Sequence, residues 1–296
     1  MSRKRSAGTK RSGVVLMAAL LVGSGCGGSK KPIVVGSKDT AEQMLIGELV
    51  AQHLEHRLGR KIVRNLGLGN TAAVYQALLN GEVGVYPEET GTIQANILKE
   101  NPSVDAATTL ERVRNEMRRL AQAELLDPLG FDHSWAIVVS NQNQFETLSD
   151  AQAAKDGWKM GATRDFNERR DGMAMLNQYR LPMGAVPFVG DLNSLYDGFD
   201  AGRLTMVVGT QTDGWLGRHE NYKILRDDKR VFGYYQTCLM ARSDVLATDP
   251  KIQSALGELS GKITTKDMRR LNAAVAIEHK KPADVAAEFL TQAGLK

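Results

Sequence analysis

The chain has 296 residues, 42% of them hydrophobic, with 38 Lys and Arg against 34 Asp and Glu. Five of the basic residues and none of the acids fall in residues 1–25, so beyond that segment 33 basic residues face 34 acids, a balance that excludes the strongly basic surface of a nucleic-acid-binding protein. Two cysteines without a CxxC spacing exclude zinc-ribbon and thioredoxin-type chemistry, and roughly 270 residues suffice for two lobes or one large α/β domain.

The N-terminus reads as a targeting segment. Arg3, Lys4, Arg5, Lys10 and Arg11 precede an apolar run over 13–22 that is too short to span a bilayer as a helix. Small residues Gly23, Ser24 and Gly25 then lead to Cys26. Residues 1–25 are therefore expected to be a cleaved secretory signal. Cys26 is expected to be acylated and to anchor the chain to the membrane, although Gly23 stands where bacterial lipoproteins usually carry Leu. Residues 26–31 would form a short flexible tether.

From there strand and helix signals alternate. A buried-type strand is predicted over 32–36, and Asp39 to Glu42 reads as a capping box. The helix that follows places Leu45, Ile46, Leu49, Val50, Leu54 and Leu58 on one face and stops at Gly59. A strand over 61–65, a helix over 71–80, a strand over 83–86 and a charged helix over 105–123 come next. A second run has strands over 136–139 and 158–162, a helix over 169–179, a strand over 185–189, a helix over 193–201 and a strand over 205–209. The chain ends in helices over 251–259, 265–277 and 282–293. This alternation points to an α/β fold. Cys238, in the apolar run Thr237-Cys238-Leu239-Met240, reads as a buried free thiol.

Rival chemistries are weakly supported. Gly67-x-Gly69-x-x-Ala72 follows a strand and precedes a helix as a dinucleotide-binding turn would, but no full nucleotide-binding half follows it. His53 and His56 lie one helical turn apart, with no companion acid or cysteine pattern, and read as solvent-exposed rather than as metal ligands. No GxSxG elbow is present. Neither a metal nor a cofactor is expected, nor an enzymatic activity.

Seven ordered motifs carry a resemblance. They are Gly36-Ser37-Lys38 through Gln43, Gly67 to Thr71, Val85-Tyr86-Pro87-Glu88-Glu89-Thr90-Gly91-Thr92, Phe166 through Gly172, Gln211-Thr212-Asp213-Gly214, Asp227-Asp228-Lys229 with Phe232 to Tyr235, and Leu259 to Thr264. Together they resemble the substrate-binding proteins of glycine betaine, choline and carnitine ABC importers, the OpuAC-like family, over residues 33–296. The resemblance implies a two-lobed periplasmic-binding-protein fold of type II with the ligand in the cleft. One lobe would hold 32–133 and 233–296, the other 134–232. It implies a quaternary ammonium or zwitterionic ligand, delivered outside the cytoplasmic membrane to a permease and its ATPase. An ammonium without N–H groups is recognised by aromatic faces through cation–π attraction of about 0.5–2 kcal/mol per ring. Tyr86, Trp135 and Tyr235 fall on the family's cage positions, and Lys38 and Arg169 on positions associated with the ligand's anionic group. Thr210 stands where a cage tyrosine is expected, and Glu89 replaces the second tyrosine of the YPEYTGT pattern, leaving one wall missing. Glu89 would then face a cation or the solvent. A different amino-acid-like solute such as ergothioneine, or a ligand-sensing receptor subunit, is the alternative.

Overall fold

The computed structural model describes residues 32–296 apart from 102, 104, 186 and 219; the expected signal, Cys26 and the tether lie outside the described residues. The strands are β1 (Val34–Gly36), β2 (Val63–Asn65), β3 (Val85–Glu89), β4 (Ala123–Leu125), β5 (Trp135–Ser140), β6 (Met160–Ala162), β7 (Phe188–Val189), β8 (Met206–Thr210), β9 (Tyr222–Ile224) and β10 (Thr237–Arg242). They form two five-stranded sheets, in the orders β2-β1-β3-β10-β4 and β7-β6-β8-β5-β9. In the first, β1 is parallel to β2 and β3, and β10 runs antiparallel between β3 and β4. In the second, β6 is parallel to β7 and β8, and β5 runs antiparallel to β8 and β9.

Each sheet carries apolar residues on both faces. Val35, Val85 and Leu239 pack with Leu45, Leu49 and Leu54 of the helix Ala41–Leu58 and with the C-terminal helices, while Tyr86, Met240 and Leu125 pack on the other side with Val74, Leu78 and Met117. In the second sheet, Ile137, Met160 and Val208 join one cluster and Ala136, Val138 and Val207 the other. Adjacent residues of one strand feed opposite cores, as a two-sided sheet requires. The α/β class and the two-lobed type II architecture follow.

Several elements differ from expectation. The predicted helix over 169–179 is broken into Arg164–Glu168 and Met173–Leu176. Arg169 is extended (φ −74°, ψ 144°), and Asp171 is drawn into a buried ion pair with it. Gly172 permits the break, since a Cβ there would lie 2.0 Å from the Phe166 carbonyl oxygen. Strands β4, β9 and β10 are additional to the sequence reading, and the strand over 185–189 shrinks to Phe188–Val189. The helix cap at 40 shifts by one: Thr40, not Asp39, accepts from Gln43 N. His53 is wholly buried rather than solvent-exposed. Its Nδ1 and Nε2 each lie 2.9 Å from a backbone oxygen, of Leu295 and Ala255 respectively, because its helix is covered by the helices Pro250–Gly257 and Pro282–Gln292. Cys238 is a buried free thiol, as expected.

The chain passes from the first sheet to the second between β4 and β5 and returns between β9 and β10. The two crossings are tied together. Asp132 pairs with Gln236, His133 N donates to Tyr235 O, and the Asp132 carboxylate accepts from Ser134 and from Tyr235 N.

Candidate functional site

Sheet order fixes where a crevice belongs. From β1 the chain moves outward to β2 and then returns across to β3, so the connections diverge at the carboxyl ends of β1 and β3, the place where open α/β sheets hold ligands. Lys38 follows β1, and Glu88 and Glu89 end β3. The Lys38 ammonium donates to Glu88 Oε1 at 2.6 Å and to Glu89 Oε2 at 2.5 Å, while Gln43 Nε2 donates to Glu89 Oε1 at 2.6 Å. All four residues are buried; Glu89 does not face solvent. Burial pushes the Glu88 carboxyl up to about 8 against the pull of Lys38. For Glu89 burial acts in the same direction, but Lys38 and then His133 outweigh it and hold this carboxylate low. Burial alone would lower the Lys38 ammonium, and the Glu88 and Glu89 carboxylates more than reverse that.

A second cluster joins the two sheets. Glu42, freed from a capping role, accepts from Asn272 Nδ2, which also donates to Thr212 O at 2.9 Å. Glu42 Oε1 lies 2.8 Å from His133 Nδ1, an ion pair by distance without the alignment of a hydrogen bond. His133 Nδ1 is also 3.0 Å from Thr212 Oγ1. Burial would lower the imidazole's pKa, but Glu42 raises it to about 9.

The third cluster is aromatic. Trp135 opens β5, and Tyr235 precedes β10 at the return crossing. Tyr235 is buried and its neighbour Tyr234 is exposed. Arg169 makes a two-point bond to Asp171, Nε to Oδ1 at 2.9 Å and Nη2 to Oδ2 at 2.6 Å, the geometry that suits a guanidinium. Its Nη2 also reaches Thr92 Oγ1 at 3.3 Å, bridging the sheets, and the Tyr235 hydroxyl donates to Asp171 Oδ2. The Arg169 Cζ lies 5.1 Å from the Trp135 ring centroid and 5.9 Å from that of Tyr235, within cation–π range. Phe166 supports Trp135 edge-on at 4.9 Å.

The register of β5 and β8 sets Thr210 directly opposite Trp135, where an aromatic would stand beside the indole. The Thr210 hydroxyl instead donates to Asp213 Oδ1 at 2.9 Å, and Asp213 also accepts from Tyr196. Tyr86 lies in the core of the first sheet, wholly buried, its hydroxyl without a partner among the described residues. The structure thus groups Lys38 with Glu88 and Glu89, and Trp135 with Arg169 and Tyr235. The sequence reading missed Glu42, Gln43 and Glu88 as cleft residues. Their signal was present, since all three stand inside the quoted motifs. Among the described residues no His, Cys, Asp and Glu cluster could hold a metal ion, and no helix is long and apolar enough to cross a membrane.

Residues 31–292 match the family model of the substrate-binding domain of ABC-type glycine betaine transport systems. The chain is 30% identical over 275 residues to the ergothioneine transport permease/ergothioneine binding protein of Helicobacter pylori, covering 90% of this chain but only 48% of that relative's length. It is 28% identical over 286 residues to a carnitine transport binding protein of Listeria monocytogenes, covering 94% of this chain and 92% of the relative. A solved glycine betaine/carnitine/choline ABC transporter structure superposes with a TM-score of 0.79 at 26% identity, covering 89% of this chain and 99% of that one.

Proposed function

The chain belongs to the family of substrate-binding domains of ABC-type glycine betaine transport systems, and from that premise we propose that it captures a quaternary ammonium compatible solute between its lobes and delivers it to a membrane permease driven by an ATPase. The Arg169 guanidinium lying over both Trp135 and Tyr235 is the observation that carries this reading, because it marks two faces that attract positive charge. Residues 32–133 with 233–296 would move as one lobe and 134–232 as the other, hinging at the paired crossings. A ligand that touches both lobes only when they are together shifts the population toward closure, and the permease would read that form. Cys26, acylated, would hold the protein at the outer face of the membrane.

Calorimetric titration with glycine betaine, choline, carnitine and ergothioneine tests this. At least one is expected to bind at micromolar affinity, and that affinity should fall when Trp135 is replaced by Ala. Silence across the set would remove quaternary ammonium compounds as the ligand class.

A further inference from the structure

The two sheets meet along two rims that differ in kind. The first sheet carries the helix Thr265–Ala276 on the face where Met268 and Leu271 join Leu45 and Leu49, and Ile93, Ile97 and Leu98 on the opposite face. The second sheet places Trp215 and Leu216 on one face and Phe166, three residues before Arg169, on the other. Contacts across the cleft therefore fall on either side of the paired crossings. One line joins residues 211–217 to the helix Thr265–Ala276 and the turn after it, and the other joins residues 169–170 to residues 92–99.

The first line is tight. Asn272 directs its amide nitrogen to both sides at once, to Glu42 in the first sheet's unit and to Thr212 O in the second's at 2.9 Å. Arg269 Nε donates to Gln211 O at 2.7 Å, Arg218 pairs with Glu278, and Asn193 adds a long bond to Ala276 O at 3.5 Å. Between these bonds the backbones themselves touch. A Cβ on Gly214 would lie 2.5 Å from Ala273 N and 2.7 Å from Ala273 Cα, so only glycine allows the approach. Thr212 and Asn272 are buried. The second line is slack. Arg169 Nη2 reaches Thr92 Oγ1 at 3.3 Å and Arg170 Nη1 reaches Lys99 O at 3.4 Å, both longer than the roughly 2.7–3.2 Å of an ordinary N–H···O bond. Lys99 and Arg170 are exposed. The bond from the Tyr235 hydroxyl to Asp171 belongs to the return crossing rather than to this rim. Opening along the first line would pull apart apposed backbones and break short, buried bonds. Opening along the second breaks two long ones at the surface.

We propose that the helix Thr265–Ala276 and residues 211–217 form a third joint beside the two crossings, which stays shut while the cleft parts along Thr92, Lys99, Arg169 and Arg170, so that ligand enters from that side. Asn272, Arg269 and Gly214 are the positioning residues of this joint. The proposal rests on the reading of two lobes that close on a ligand, and adds which rim parts and which does not.

The test is the distance between paired spin labels in the full chain carrying Cys26→Ser, whose remaining thiol, Cys238, is buried. Labels at Asn101→Cys with Glu168→Cys span the parting rim, and labels at Glu220→Cys with Lys266→Cys span the joint; all four positions are exposed. Choline, glycine betaine, carnitine and ergothioneine are added in turn. The first pair should show a broad distribution without ligand, and one that narrows and shortens by more than about 2 Å with a compound that binds. The second pair should show one narrow distance that stays put. A second pair that shifts as far as the first overturns the joint and leaves the closing lobes standing. Two narrow, immobile pairs in the presence of a compound that binds refute closure, and the joint with it. With none of the four bound, the ligand-free widths decide, and equal widths overturn the proposal. Gly214→Ala, which drives a methyl into the Ala273 backbone, should broaden the second distribution, whereas Arg170→Ala should leave it narrow. A joint distance that Gly214→Ala does not alter overturns the proposal as well.

Discussion

Replacing Arg169 by Ala uncovers a carboxylate that the fold cannot solvate. Asp171 is 0% exposed, and its two-point bond to Arg169 is its principal compensation, with the Tyr235 hydroxyl as a second partner. Breaking one side of a buried pair costs about 3–5 kcal/mol. The guanidinium side chain is 17% exposed, so water screens it in part, and the lower end, about 3 kcal/mol, is the expected loss at pH 7. The pH dependence has a definite sign. In the native protein burial pushes the Asp171 carboxyl up, but Arg169 outweighs it and holds it below the usual carboxylate range. That contribution is present above the unfolded value and is lost as pH falls through the folded one. In Arg169→Ala burial acts unopposed, the carboxyl rises, and protonation relieves it, so the deficit should shrink from pH 7 toward pH 4.5. Urea unfolding of both proteins at the two pH values measures it. The double variant Arg169→Ala/Asp171→Asn should recover more than half of the loss at pH 7. A double variant no more stable than the single one, or a deficit independent of pH, would refute the buried-charge account.

Three further outcomes are expected. Trp135→Ala should weaken binding of a quaternary ammonium ligand by about 1–2 kcal/mol and Trp135→Phe by less; a titration in which both match the native protein would take Trp135 out of the site. The His133 imidazole, raised to about 9 against Glu42 after burial is overcome, contributes stability that is complete below its unfolded value and fades as pH rises through about 9. The thermal midpoint of His133→Ala should therefore lie below that of the native protein at pH 6.5 and converge with it at pH 10, and a constant gap would contradict the pairing. Cys26→Ser should move the protein from the membrane fraction to the soluble one, and retention at the membrane would disprove acylation as the anchor.

Much of this arrangement was legible in the chain. The spacing of Leu45, Ile46, Leu49, Val50 and Leu54 marks the buried face of the first long helix, and the ordered motifs mark the ends of β1 and β3. What was not legible depends on distant partners. Strand β10 is buried on both faces and lacks the alternation that betrays a half-exposed strand; it is placed between β3 and β4 only after the chain has completed the second sheet. Glu42 sits where a local cap is plausible, and its partners, His133 and Asn272, are 91 and 230 residues away. Likewise the sequence shows Lys38 and Arg169 as cations suited to an anionic group. It does not show that carboxylates from β3 and from Asp171 neutralise them.

That neutralisation changes how affinity should be reasoned about. Trp135 and Tyr235 do not wait as bare faces, since Arg169 lies over both, and Lys38 lies between the two glutamates. On the proposed reading, an incoming cation exchanges with charges that the chain itself supplies. The gain at each ring is the difference between the ligand's attraction and that of the guanidinium it displaces, which keeps the expected effect of Trp135→Ala nearer 1 than 2 kcal/mol. A guanidinium that shifts can keep its Asp171 bond, so the exchange need not strand a buried carboxylate. Lys38 has no such second partner beyond its two glutamates, and a ligand that moves it must replace its charge.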